Sequence, residues 1–396
     1  MFADLEPRAP DAILGLMEHF RADDRPDKVS LASGVYVDES GTTPVLDTVR
    51  EAEARILASQ TTKVYKPIGG DPAYTGPVRD LIFGADHAAV SDGRVETMHT
   101  PGGTGALRVA GDLVAAISPS ASVWLSTPTW PNHPQVFGAA GLPVRTYPYL
   151  GADGELDISA LLGVLRAVPA GDVVVLHGCC HNPTGIDPSP AQWELIAEAL
   201  AEAGALPLLD FAYQGFADGL EQDATGLRAL LARDRTMFVA SSFSKNFALY
   251  DERVGALSIV GSDPAETSTL LSHAKGVIRS NYSNPPAHGG EIVATVLTDP
   301  TLRDQWIAEV GTMRDRINGN RASFVAALQA AGAPGNHEAL MRQRGMFSLL
   351  PLGEERVARL RDEFGVYVVG KGRVNVAGLT ASNIEPVCRA IAAVSG

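Results

Sequence analysis

Between about residues 100 and 260 this chain alternates short, β-branched apolar runs with stretches of helical periodicity, and few folds accept that alternation. Leu107, Ala110, Leu113, Val114 and Ile117 recur at helical spacing, and SVWLS then reads as a strand. DISALLGVLRAV (157–168) predicts a helix capped by Asp157, and DVVVLHG (172–178) a buried strand. Trp193, Ile196, Ala197 and Leu200 mark one face of the next helix, which Gly204 closes before the strand-like PLLDF (207–211). TMFVASSF (236–243) and VGALSIV (254–260) are two further runs of strand length. Strands separated by helices of about 10–15 residues are joined by crossovers rather than hairpins, which predicts an α/β fold: a mainly parallel sheet with helices on both faces.

The pattern changes beyond residue 300. Residues 301–332 read as one long amphipathic helix, with a kink expected at Asn318 to Asn320. Short strands at MFSLL, VYVV and RVNVAG follow, with helices near 354–364 and 382–394. These features predict a smaller α+β domain, and 396 residues suffice for two domains. We expect 1–43 to form an N-terminal arm and part of the small domain, 44–312 the large domain, and 313–396 the remainder of the small one. Lys and Arg number 32 against 46 Asp and Glu, a formal net charge of −14 with no basic run, which excludes nucleic acid and anionic membrane as main partners. No apolar stretch approaches the ~18 residues of a membrane span. The N-terminus has early acids in place of a basic region followed by an apolar run, and Cys179, Cys180 and Cys388 make no disulfide framework. The expected setting is cytoplasmic and reducing.

Open parallel sheets bind ligands at the carboxyl ends of their strands, and the polar residues expected there form an unusual set. HGCCH leads into Asn182-Pro183-Thr184-Gly185, and PLLD ends at Asp210 with Tyr213 close behind. TMFVASSF is followed by Ser244 and Lys245, with Arg253 beyond, and Pro101-Gly102-Gly103-Thr104-Gly105 runs straight into a helix. A glycine-rich turn at a helix N-terminus suits a phosphate, which Arg253 and Ser244 can complete with charge-assisted hydrogen bonds. A lysine at a strand end can form a Schiff base with a carbonyl. A carboxylate against a ring nitrogen keeps that nitrogen protonated and makes the ring an electron sink. Phosphate, aldehyde and pyridine nitrogen together describe pyridoxal 5′-phosphate.

SSFSKNF (241–247), HNPTG (181–185), LDFAYQGF (209–216), PGGTGALR (101–108), PTWPNH (128–133), NYSNPPAHG (281–289) and GRVNVAG (372–378) resemble the aspartate and aromatic amino acid aminotransferases, which are fold-type I pyridoxal-phosphate enzymes. The resemblance runs from FADLEPRAPDAILGL to the last helix. It implies that Lys245 holds the cofactor and, once freed by substrate, moves the proton between Cα and the cofactor's C4′. Asp210 would pair with the pyridinium nitrogen, with His133 behind it, and Tyr213 and Asn182 would bind the ring's phenolic oxygen. Trp130 would stack on the ring. Gly102, Gly103, Thr104, Ser242, Ser244 and Arg253 would form the phosphate site, completed by Tyr65 of a partner subunit. Arg373 would grip the substrate α-carboxylate as a fork, a geometry lysine cannot copy, beside Gly34, Trp130 and Asn182. Arg279 would reach a distal carboxylate across a homodimer with shared active sites.

The substrates implied are amino acids and 2-oxo acids in a ping-pong reaction with 2-oxoglutarate. Thr43, Thr104 and Asn284 resemble the aspartate-specific branch, whereas Val37 and Val64 are apolar where that branch carries polar groups. Phe243 is commoner in the aromatic branch, Ser33 departs from both, and Lys66 after Tyr65 is also uncommon. A dual-range enzyme is therefore expected, with strict aspartate, strict aromatic, another pyridoxal-phosphate reaction such as β-elimination, and a catalytically idle binding protein as alternatives. A dinucleotide fingerprint at Gly103 to Arg108 is disfavoured, because Arg108 stands where a small residue belongs and no acid follows at the ribose position. A metal at Cys179, Cys180 and His181 is disfavoured too, since neighbours on a strand point to opposite faces. They are expected to be buried thiols of a core strand, and His177 a structural residue. Taken singly, Lys245 reads as a surface lysine and Asp210 as a turn cap; their joint occurrence carries the reading.

Overall fold

The computed structural model describes residues 2, 5, 6 and 13–396. Residues 1, 3, 4 and 7–12, which carry part of FADLEPRAPDAILGL and of the expected N-terminal arm, lie outside them. The chain divides into two compact units. One comprises Met1–Thr43, Pro183–Gly185 and Arg316–Gly396, the other Pro44–Asn182 and Ile186–Asp315. In chain order the strands of the described residues are β1 (Val29–Ser30), β2 (Val95–Pro101), β3 (Val123–Thr127), β4 (Val144–Pro148), β5 (Val173–His177) and β6 (Leu206–Phe211). They continue with β7 (Met237–Ser242), β8 (Val254–Val260), β9 (Phe347–Leu349), β10 (Val366–Tyr367) and β11 (Arg373–Asn375).

The larger unit holds a seven-stranded sheet in the order β2-β8-β7-β6-β5-β3-β4. β7, β6, β5, β3 and β4 pair in parallel, and β8 alone runs against its neighbours β7 and β2. β5 reads VVVLH and is buried at every position, as a strand covered on both faces must be. The Gly102–Ile117 helix turns Ala106, Leu107, Ala110, Leu113 and Val114 onto a core that includes Leu125, Val175, Leu208, Ala240 and Leu257. The Pro190–Ala203 helix starts at a capping box of Ser189 with Gln192 and stops at Gly204, whose φ of 69° is open to glycine at little cost. Asp157 accepts the Ala160 N–H and caps the Ile158–Leu165 helix.

The smaller unit pairs β1 with β10 in parallel and β11 with β9 in antiparallel. Its core joins Leu31, Phe324, Leu328, Leu360, Val374 and Val387. The Pro300–Ala330 helix stays helical through Asn318 to Asn320, where a kink was expected. Asn320 is buried and donates from Nδ2 to the carbonyls of Val376 (3.2 Å) and Leu379 (2.8 Å), so it serves as an anchor and not as a helix breaker. No helix among the described residues is long and apolar enough to cross a membrane.

Candidate active site

The carboxyl ends of the parallel strands carry the polar set. Asp210 is the penultimate residue of β6, and Tyr213 follows in the next turn. Ser242 ends β7, and Ser244 and Lys245 come directly after it. β2 ends at Pro101, from which the Gly102–Ile117 helix starts, and β3 leads through Thr127 to Trp130.

Asp210 is buried and sits at one end of a chain of hydrogen bonds. His133 Nε2 lies 3.0 Å from Asp210 Oδ2, and His133 Nδ1 lies 2.8 Å from the Thr129 hydroxyl. That hydroxyl lies 3.2 Å from His177 Nε2, and His177 Nδ1 accepts the Asn182 N–H at 3.4 Å. A single direction of donation satisfies the whole chain: Asn182 to His177, His177 to Thr129, Thr129 to His133, His133 to Asp210. Burial pushes the Asp210 carboxyl up, but the His133 hydrogen bond and neighbouring positive charge, that of Lys245 included, outweigh it and hold the group below the ordinary carboxylate value. His177 is pushed down to about 3, mainly by burial, so it is uncharged at neutral pH and acts as a hydrogen-bond link.

Lys245 Nζ stands 5.2 Å from the centre of the Tyr213 ring, and Asn182 Nδ2 approaches the Tyr213 hydroxyl at 3.5 Å. Trp130 is half-buried and meets His133 edge-on, with ring centres 5.2 Å apart. Lys245, Tyr213 and Asn182 are thus linked to one another, and Asp210 and Trp130 share His133 as a neighbour.

The second cluster is a cradle. The Gly102–Ile117 helix begins without a side-chain cap, which leaves its first N–H groups to an outside acceptor. Gly102 has φ 73°, and a Cβ there would stand 2.5 Å from Arg253 Nη2. A Cβ on Gly103 would meet Ser242 Cβ at 3.0 Å. Arg253 donates to Ser244 Oγ at 3.1 Å. Thr104, half-buried, lies in the same first turn. An uncapped helix start, a guanidinium and two serines fit a phosphate. A buried ionised carboxylate and a nearby amine fit a pyridinium nitrogen and an aldehyde, so the residues present suit pyridoxal phosphate.

The remaining predicted residues have surroundings of their own. Tyr65 is 89% exposed, and Arg279 is exposed near the end of the Pro264–Asn281 helix, where it donates to Ser283 Oγ. Arg373 belongs to the smaller unit, where it is buried, donates to the Ala32 carbonyl at 2.6 Å and lies over the Phe347 ring at 4.2 Å. Gly34 packs against the same ring, which a Cβ would meet at 3.0 Å. Phe243 is a core ring, set edge-on to Tyr74 and Phe247.

One expectation needs correction. Cys179 and Cys180 are buried but lie beyond the end of β5, in a turn where Cys180 has φ 51°. The alternation that would keep their sulfurs apart does not apply, and both come within 4.8 Å of an Asp223 oxygen. That carboxylate accepts the N–H groups of Gly215, Ala217, Asp218 and Gly219, so it closes a turn of the backbone. His177, expected to be structural, joins Asn182 to the Asp210 chain. Thr129 and Asp187 went unnoticed in the sequence. Asp187 accepts the N–H groups of Cys180 (2.7 Å) and His181 (2.8 Å) and so shapes the turn leading to Asn182. Its place two residues after Gly185 was the available signal.

Residues 26–391 match the family described as aminotransferase class I and II. Over 395 residues the chain is 52% identical to an aspartate aminotransferase of Salmonella typhi, with 100% of each covered. A crystal structure of an aromatic-amino-acid aminotransferase from Burkholderia pseudomallei, covalently bound to pyridoxal phosphate, superposes with a TM-score of 0.96 at 45% identity, covering 100% of both chains. A psychrophilic aromatic amino acids aminotransferase from Psychrobacter sp. B6, co-crystallised with aspartic acid, gives 0.96 at 40% identity over 100% of this chain and 99% of that one. A match of this extent, on a chain whose strand ends carry such an amine, carboxylate and anion cradle, places it in one family: it belongs to the class I and II aminotransferases.

Proposed function

We propose that this chain is a pyridoxal-phosphate-dependent aminotransferase moving the amino group of L-aspartate or an aromatic L-amino acid to 2-oxoglutarate in two half-reactions. One observation carries it: a buried, ionised Asp210, backed by His133, lies within the field of Lys245. When bound, the cofactor supplies an electron sink for negative charge developing at the substrate Cα. Lys245 would hold the cofactor at rest and, released by the incoming amine, would take the proton from the substrate Cα and deliver it to the cofactor's C4′. Asp210 keeps its charge against the ring nitrogen, and Tyr213 and Asn182 hold the phenolic oxygen. Trp130 covers the ring face. Gly102, Gly103, Thr104, Ser242, Ser244 and Arg253 bind the phosphate. Arg373, with Gly34, takes the α-carboxylate; the support is a buried guanidinium fixed on a ring face.

The breadth of substrate is supported by relatives named for both classes and by an aromatic-class enzyme co-crystallised with aspartic acid. The reading includes a homodimer in which Tyr65 and Arg279 serve the neighbouring subunit's site. Its support is their exposure, with that of Val64 (71%) next to Tyr65. It includes a large domain of 44–312 and a small one of 313–396 with 1–43, supported by the two compact units. It also includes a reducing, cytoplasmic compartment, which suits three buried, unbridged cysteines.

The test is a single half-reaction. Cofactor-loaded protein is mixed separately with aspartate, phenylalanine, tyrosine and tryptophan, and loss of the visible cofactor band is followed. Comparable rates are expected with both classes. A preference of about a thousandfold for either class overturns the dual range, pyruvate release from a β-substituted substrate favours elimination, and turnover by Lys245→Ala removes Lys245 from the scheme.

A further inference from the structure

The exposed segment that carries Val64 and Tyr65 is held at both ends by one carboxylate. Gln60, just past the Asp47–Ser59 helix, donates from Nε2 to Glu291 Oε2 at 2.7 Å. Lys66 Nζ lies 2.9 Å from Glu291 Oε1 and 3.0 Å from Asp71 Oδ2. Asp71 in turn accepts the Ala73 N–H at 3.0 Å and caps the Pro72–Phe83 helix. Glu291 stands in the first turn of the His288–Thr298 helix. Between the two clamps, residues 61–65 have no regular structure and all are exposed.

Exposed ion pairs on mobile side chains contribute little, but this one differs in setting. The Lys66 and Glu291 side chains are only 24% and 21% exposed, and each has a second polar partner. The two oxygens of Glu291 draw together Gln60 and Lys66, six apart in sequence. A five-residue loop without that tie samples many conformers, and any partner that meets its tyrosine must bear the loss of that freedom. Lys66, uncommon at its place after Tyr65, gains a purpose in the clasp.

We propose that Glu291, with Lys66 and Gln60, is a clasp that pre-orders residues 61–65 so that Tyr65 meets the phosphate site of a second copy of this chain in one posture. Glu291 and Lys66 are thus positioning residues for cofactor retention. The inference rests on the reading of Tyr65 as a phosphate ligand given to the partner.

The test uses holoenzyme of the wild type, Glu291→Ala, Lys66→Leu, Lys66→Arg, Tyr65→Phe and the Glu291→Ala/Tyr65→Phe double variant. Pyridoxal phosphate dissociation is measured by equilibrium dialysis, and amide hydrogen exchange is followed over residues 60–66. Glu291→Ala and Lys66→Leu should each raise the dissociation constant about fivefold and speed exchange in 61–65, with Lys66→Arg close to wild type. In the Tyr65→Phe background, Glu291→Ala should add less than about twofold, because coupled residues are not additive. Unchanged exchange and retention in Glu291→Ala, beside a weakened Tyr65→Phe, remove the clasp alone. Full additivity also overturns it, since Glu291 would then act without Tyr65. If Tyr65→Phe itself retains cofactor normally, the assignment of Tyr65 falls and the clasp's purpose falls with it.

Discussion

The Thr129 hydroxyl stands between two imidazoles, 2.8 Å from His133 Nδ1 and 3.2 Å from His177 Nε2. It fixes which nitrogen of His133 carries the proton and thereby aims an N–H at Asp210. Thr129→Val keeps the shape but leaves two buried ring nitrogens without their partner, at about 1–3 kcal/mol each. Its denaturant midpoint should fall accordingly, and kcat should fall several-fold with KM little changed, since the loss lies behind the reacting groups and not in substrate binding. Thr129→Ser, which retains the hydroxyl, should recover most of both. A valine variant with wild-type kcat would show that Asp210 needs no such backing.

At the level of elements, the start of the Gly102–Ile117 helix combines a backbone requirement with a binding one. Gly102→Ala must adopt φ near 73° and place a methyl 2.5 Å from Arg253 Nη2. The first effect costs about 1–2 kcal/mol of stability, and the second displaces a guanidinium from the anion cradle. Gly141 provides the control, with φ 83° and nothing within 4 Å of an added Cβ. Both alanine variants should lose stability, and only Gly102→Ala should release pyridoxal phosphate more readily in dialysis. Equal retention by the two would take Arg253 out of the phosphate site. The strands that place this cradle differ in how far they were legible. β5, β7 and β8 are buried along their whole length, so an unbroken apolar run marks them. The edge strands β2 and β4 escaped notice for physical reasons. β2 reads VETMHTP and buries polar residues, among them Thr97, whose hydroxyl meets that of Ser258 across the ladder at 2.8 Å. β4 reads VRTYP, with its first three residues exposed. Lys245, Asp210 and Arg253 were legible through motifs of contiguous residues. Thr129 with His177, and Gln60 with Glu291, were not, because those partners meet only once the chain has folded.

For the molecule as a whole, buried histidines set an acid limit, and the proposed homodimer would set the active unit. Burial holds His99 at about 4 and His177 at about 3, and holds His181 far below its ordinary value. In the unfolded chain each titrates near 6.5. Below that pH the unfolded state binds protons that the folded state refuses, so stability falls as pH falls from about 6.5 to about 4, by up to about 1.4 kcal/mol per pH unit for each histidine. Urea midpoints should drop between pH 7.5 and 5.5, and His99→Gln should flatten the slope; a level profile would mean that these rings are hydrated. The arrangement of subunits can be tested by complementation. If Arg279 serves the neighbouring site, a Lys245→Ala homodimer is inactive and an Arg279→Ala homodimer is poor with aspartate. A hybrid of the two nevertheless has one intact site, built from the lysine of one subunit and the arginine of the other. Equal mixing with subunit exchange makes half the dimers hybrid, and half the sites in those are whole. Aspartate activity should therefore recover to about a quarter of wild type. Phenylalanine, which has no distal carboxylate, should show little gain over the Arg279→Ala subunits alone. Hybrids shown by native mass spectrometry to have formed, yet without recovered aspartate activity, would assign Arg279 to its own subunit's site.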